Sequence, residues 1–231
     1  MSSVEAARAG IVAQCRRLAA AGLVLGTAGN LSVRCGDLVA VTATGAVLAE
    51  LTESAVTVVD VDGAVVDGAL APTSELALHV TIYRTHDAGA IVHTHAPRSI
   101  AFGLVRDELP VVHYQQLPLG GPTPVVPFHP FGTPELAAAV RDSLHDRRAA
   151  LLANHGAVTL GADLTEAVDN TLLLEWACGI YLDAATAGPP RALTPDQQNA
   201  VREITDHLGY GTTKPAGHDL PNTHHQQHGL L

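Results

Sequence analysis

The sequence predicts a single mixed α/β layer domain. Segments of helical and of strand periodicity alternate along the chain, several strands are joined by tight turns, and no linker or internal repeat divides the 231 residues. Turn-joined strands pair antiparallel, which argues against a purely parallel doubly wound sheet. The length suffices to bury a sizeable core. With 47% hydrophobic and 16% charged residues the chain is not disordered, and with 3% aromatics its core must be built from Ala, Val, Leu and Ile.

The elements follow in order. Residues 4–22 read as an amphipathic helix, with Ile11, Cys15 and Leu18 at helical spacing and Gly22 suited to its end. A Gly-rich segment, 26–30, leads into strands at 31–34 and 38–44, and a hairpin at 56–66 turns around Asp62-Gly63. Residues 75–85 form a helix behind Pro72, Thr73 and Ser74. A strand at 90–95 ends at Pro97, a short helix covers 98–105, and the Pro-rich stretch 110–134 holds short strands, including Val125–Val126. Thr133 can cap a helix over 134–145, with Pro134 and Glu135 in its first turn. Apolar strands at 149–153 and 157–160 flank Asn154-His155-Gly156, and helices cover 164–185 and 194–208. The polar stretch 211–231 reads as a flexible tail, leaving 1–210 as the domain.

A net charge of −10 and the lack of any Lys/Arg run argue against nucleic-acid binding. Cys15, Cys35 and Cys178 are unclustered and odd in number, which reads as reduced thiols rather than a disulfide framework or a Cys-based metal site. With no signal-peptide pattern and no apolar stretch of membrane-spanning length, the expectation is a cytoplasmic protein without membrane partners.

Val92-His93-Thr94-His95 carries the sharpest chemical signal. Residues i and i+2 of a strand share a face, so His93 and His95 would present adjacent imidazoles, a seat for a cation such as Zn²⁺. His155, between Asn and Gly at a strand end, is a candidate third ligand. On spacing alone these residues are as readable as ordinary hydrogen-bonding histidines, since the chain has 13. His79, His86, His113, His129 and His145 read as structural or solvated, and His224, His225 and His228 as a solvated tail.

Taken together, Gly26-Thr-Ala-Gly-Asn-Leu-Ser-Val-Arg34, Thr42-Ala-Thr-Gly45, Pro72-Thr-Ser-Glu75, Val92-His-Thr-His-Ala96, His113-Tyr114, Phe131-Gly-Thr133 and Asn154-His-Gly156 resemble, in this order and spacing, the zinc-dependent class II aldolase/adducin family. The resemblance runs from about residue 8 to residue 210 and is strongest to members acting on L-fuculose 1-phosphate. It implies an α/β single domain with a central mixed, largely antiparallel β-sheet flanked by helices on both faces. It also implies one zinc per subunit on His93, His95 and His155, approached by Glu75 when substrate is absent. Glu75 would be the catalytic acid/base. Thr27, Asn30, Thr44, Gly45, Thr73 and Ser74 would hold the substrate phosphate. Tyr114 would act in a neighbour's site, and Tyr210 from a mobile C-terminal segment, in a cyclic homotetramer. Thr73 departs mildly from the Ser of close relatives, and the chain beyond Tyr210 is longer than the pattern.

The implied activity is a lyase reaction of carbohydrate metabolism: reversible cleavage of L-fuculose 1-phosphate, or a related ketose 1-phosphate, to dihydroxyacetone phosphate and L-lactaldehyde or another small aldehyde. A zinc ion held by three neutral histidines keeps its full charge and an open position, as a catalytic site requires. Read from the residues alone, Glu75 is as well a helix-start acid, and the glycine segment a turn. The rivals are L-ribulose-5-phosphate 4-epimerase, which typically has Asp at the position of Glu75, other sugar-phosphate lyases, decarboxylases and dehydratases of the superfamily, and an adducin-like domain that has lost catalysis.

Overall fold

The computed structural model describes residues 3–208 and 213. Helix α1 (Ser3–Ala20) leads into β1 (Asn30–Cys35), β2 (Leu38–Thr42), β3 (Val56–Asp60) and β4 (Val65–Asp67). Then come α2 (Leu76–Thr85), β5 (Ala90–Thr94), α3 (Pro97–Gly103), β6 (Glu108–Leu109) and β7 (Thr123–Val126), followed by α4 (Pro134–Ser143), β8 (Ala149–Leu152), β9 (Gly156–Gly161) and α5 (Leu164–Ala185). These lie in a compact unit, Met1–Ala192. Helix α6 (Pro195–Leu208) belongs to a second unit that begins at Leu193, and its start is tied by the Thr194 side chain accepting from the Gln197 N–H at 3.3 Å. Tyr210, the boundary expected at residue 210 and the tail histidines lie outside the described residues.

The strands form one sheet in the order β4-β3-β2-β1-β5-β9-β8-β7-β6. Every pairing is antiparallel except β7 with β8. This is the mixed, largely antiparallel sheet expected. Side chains alternate across it. Leu31, Ala40, Ala90 and Val92 face a core built with α1 and the first turns of α5, which Ala149, Leu151 and Ala157 extend toward α3 and the rest of α5. Val39, Val41, Ile91, Ala150, Leu152 and Val158 face the opposite core, with α2 and α4. Each fully buried Leu, Ile or Val in these layers contributes about 1.5–3 kcal/mol.

Thr133 caps α4, its hydroxyl accepting from the Leu136 N–H at 3.2 Å. The stretch read as Pro-rich loop with short strands also contains a 3₁₀ turn, Tyr114–Leu119, opened by His113, whose Nδ1 accepts from the Gln115 N–H. The sequence concealed it because Pro118 sits inside it, a residue that normally ends helical structure. No helix among the described residues is long and apolar enough to cross a membrane.

Candidate metal centre and adjoining cavity

Strand register assembles the centre. Asn30 on β1 stands opposite His93 on β5, and His93 stands opposite Val158 on β9. Because Val92 faces the α1 side, His93 points to the α2 side, where Glu75 waits at the start of α2. His95 follows one residue beyond β5. His155 comes from the β8–β9 turn, which Asn154 makes by adopting a φ of 59°. Two glycines permit the close approach. A Cβ at Gly156 would lie 2.2 Å from the Thr94 carbonyl oxygen and 3.2 Å from the His95 ring. One at Gly29, whose φ is 92°, would lie 2.8 Å from the His93 carbonyl oxygen.

The three imidazoles form a tripod. Their ring centroids are 4.8–5.0 Å apart and their planes cross at 71–82°. One nitrogen from each converges, all within 4.8 Å of one another, and the Nε2 atoms of His93 and His95 are 3.1 Å apart. Nitrogens on a tetrahedral zinc ion with ~2.05 Å bonds sit about 3.3 Å apart, and the His93–His95 pair has that spacing. Tautomer chemistry agrees. His93 Nδ1 is 3.0 Å from the Ala157 carbonyl oxygen, which can only accept, so the proton of a neutral His93 ring is on Nδ1 and Nε2 is bare. That bare nitrogen lies 3.0 Å from Glu75 Oε2. Glu75 Oε1, 3.6 Å from His155 Nε2, is buried without a hydrogen-bond partner. Lone pairs converging on one another in a buried place are the signature of a cation seat.

Burial pushes the Glu75 carboxyl up, but a His93 ring protonated on Nε2, through its hydrogen bond and charge, together with the Asn30 amide outweighs it and holds Glu75 well below the usual carboxylate range; while the histidines are neutral, the Asn30 amide is the hydrogen-bond donor that remains. Burial, then the charge of His93, presses His95 and His155 down to about 4. Both are neutral, ligand-ready imidazoles at pH 7. A consequence for stability follows. Unfolded histidines take up protons below about pH 6.5, whereas these two in the folded state do so only near 4. The unfolded state therefore binds more protons across that window, and the metal-free protein loses stability as pH falls from about 6.5 to about 4. Thermal melts of metal-free protein should show a falling midpoint there; a flat profile would contradict the burial of these rings.

A cavity of about 240 Å³ opens beside the tripod. Glu75, His95 and His155 line one end. All six residues expected to meet a phosphate, namely Thr27, Asn30, Thr44, Gly45, Thr73 and Ser74, line the rest. No Lys or Arg is among the described lining residues. Phe131, 70% exposed, forms part of the lip. Sequence reasoning quoted it within a motif without assigning it to the site, and its exposure beside Gly132 is a feature of fold rather than of pattern. Tyr114 is not among the lining residues. It is 41% exposed and stacks on His113 at 4.5 Å, which meets Trp176 of α5 edge-on.

Residues 9–182 match the family model of the class II aldolase and adducin N-terminal domain. The chain belongs to the class II aldolase and adducin family. It is 34% identical to the 5-deoxy-D-ribulose 1-phosphate aldolase of Bacillus thuringiensis serovar kurstaki over 204 residues, 87% of this chain and 95% of that relative. It is 35% identical to the L-fuculose phosphate aldolase of Escherichia coli over 193 residues, 83% of this chain and 89% of that relative. A solved structure of an L-fuculose 1-phosphate aldolase superposes with a TM-score of 0.83 at 32% identity, covering 87% of this chain and 96% of that one. Class II aldolases are metal-dependent, and in this member His93, His95 and His155 are a group that can hold the ion.

Proposed function

We propose that this class II aldolase is zinc-dependent and reversibly cleaves a ketose 1-phosphate to dihydroxyacetone phosphate and a small aldehyde. L-fuculose 1-phosphate is the leading substrate and 5-deoxyribulose 1-phosphate the closest competitor. The observation that carries the reading is a single cavity lined both by Glu75, His95 and His155 and by the hydroxyl, amide and glycine groups of Thr27, Asn30, Thr44, Gly45, Thr73 and Ser74.

His93, His95 and His155 would hold the zinc. Bound there, the ion supplies Lewis acidity toward the substrate's carbonyl and hydroxyl oxygens. The threonine and serine hydroxyls, with backbone N–H groups at Gly45 and at the start of α2, would receive the phosphate through neutral donors. In the cleavage direction the C3–C4 bond breaks, its electron pair stays on C3 of the dihydroxyacetone phosphate fragment, and the C4 hydroxyl gives up its proton as the aldehyde forms. Glu75 would return a proton to C3, and take it in the reverse direction. In a neighbouring subunit's site the Tyr114 phenol would give its proton to the aldehyde oxygen in the condensation direction, and its phenolate would take the hydroxyl proton back in cleavage. The exposure of Tyr114, and its absence from the residues lining its own chain's cavity, fit a site shared between subunits; the family resemblance is what makes the assembly a homotetramer, in which Tyr210 would also serve. Free thiols at Cys15, Cys35 and Cys178 fit a reducing cytoplasm.

The test is to incubate zinc-loaded protein with L-fuculose 1-phosphate and with 5-deoxyribulose 1-phosphate and to assay dihydroxyacetone phosphate. Release from at least one is expected. Protein carrying stoichiometric zinc that releases none from either would refute the reading.

A further inference from the structure

Five buried side chains form an unbroken line of hydrogen bonds that steps back and forth between α2 and β1. Glu75 Oε2 meets Asn30 Nδ2 at 3.0 Å, and Asn30 Oδ1 meets His79 Nε2 at 2.5 Å. His79 Nδ1 meets Ser32 Oγ at 2.7 Å, and Ser32 Oγ meets the Tyr83 hydroxyl at 2.9 Å. Glu75, His79 and Tyr83 are four residues apart on the helix; Asn30 and Ser32 are two apart on the strand. Four helical residues climb about 6 Å and two strand residues about 6.6 Å, so the two elements present their polar groups in step. Sequence reasoning took His79 as structural or solvated; it is fully buried and lies at the centre of this line.

The direction of every bond is fixed by chemistry, starting from the carboxylate. An ionised carboxylate only accepts, so the Asn30 amide N–H faces Glu75 and its carbonyl faces His79. His79 must then carry its proton on Nε2. Its Nδ1 therefore accepts from the Ser32 hydroxyl, and the Ser32 oxygen accepts from Tyr83. Burial, then the charge of His93, keeps the His79 ring neutral, with its pKa down at about 3. All four donors point the same way, toward Glu75.

We infer that His79 is a positioning residue for Glu75, acting through Asn30 and backed by Ser32 and Tyr83. The inference rests on the reading of Glu75 as the acid/base. A carboxylate that gives and takes a proton at carbon must present one oxygen and keep the other still. Oε2 is the held oxygen, bonded to Asn30; Oε1, which has no hydrogen-bond partner, is the oxygen that transfers the proton. Removing His79 leaves the Asn30 carbonyl buried without a donor, so its amide plane is free to turn and the hold on Oε2 is lost.

Two measurements test this. In metal-free wild-type protein, imidazole nitrogen NMR should show His79 neutral with its proton on Nε2; a proton on Nδ1 overturns the inference. In zinc-loaded protein, His79→Leu should lower kcat by roughly 10–100-fold, the range for groups that orient site residues, with stoichiometric zinc and KM little changed. His79→Gln, whose amide N–H can reach the Asn30 carbonyl, should recover most of that loss. Wild-type kcat in His79→Leu, or equal losses in both variants, overturns it. Glu75→Gln is measured alongside. If that variant keeps wild-type kcat, the acid/base reading fails and the inference with it. If it is inactive while His79→Leu is unimpaired, the inference alone fails.

Discussion

Glu75→Gln should keep its zinc and lose turnover by about 10²–10⁴-fold, the usual worth of a positioned acid/base. The substitution preserves the shape of a residue that is 6% exposed and packed at the entrance of α2. It removes the capacity to exchange a proton, together with the negative charge beside His93 and His155. The three histidines stay in place because strand pairing sets His93, His95 follows directly on the paired Thr94, and the Asn154 turn sets His155. Elemental analysis together with dihydroxyacetone phosphate assays reads both halves of this expectation. Activity within a few-fold of wild type would remove Glu75 from the proton-transfer role, and loss of zinc would make it chiefly a ligand.

His155→Ala should abolish metal binding at micromolar zinc, and activity with it. A structural zinc site is worth about 10–16 kcal/mol, so one ligand in four carries about 2.5–4 kcal/mol, roughly a 10²–10³-fold loss in affinity. The loss should exceed that share, because His155 is the one imidazole brought from a distant segment, the β8–β9 turn, and without it His93 and His95 span only one side of the tripod. Equilibrium dialysis measures the change. Stoichiometric zinc in the variant would exclude His155 as a ligand.

The ligand pair was legible because a strand has period two, so His93 and His95 could be placed on one face without any knowledge of the fold. The cavity residues were legible as motifs, but their convergence was not. Thr27, Thr44 and Thr73 come from three separate segments, and nothing local says that the bridge between Ala43 and Pro72 will bring the last two together. His79 was illegible for a different reason. Its meaning depends on a coincidence between helix rise and strand rise that exists only once α2 lies along β1. The pattern Asn-x-Ser against Glu, His and Tyr at four-residue intervals was present, yet only pairing the two segments gives it sense. Tyr114 was placed by resemblance, and its absence from the lining of its own chain's cavity is a property of packing that spacing does not encode.

The β5–β9 pairing that unites His95 with His155 joins segments far apart in the chain. Closing so long a loop is slow and comes late in folding. The seat for the ion therefore exists only after the centre of the sheet has formed, and the ion cannot act as an early nucleus. Its grip is felt in the opposite direction. An ion held there would tie together two strands that must separate before the molecule opens, so loading should slow unfolding and leave the rate of folding unchanged. An ion held by the three histidines would thus also be a kinetic clasp on the fold that creates its site.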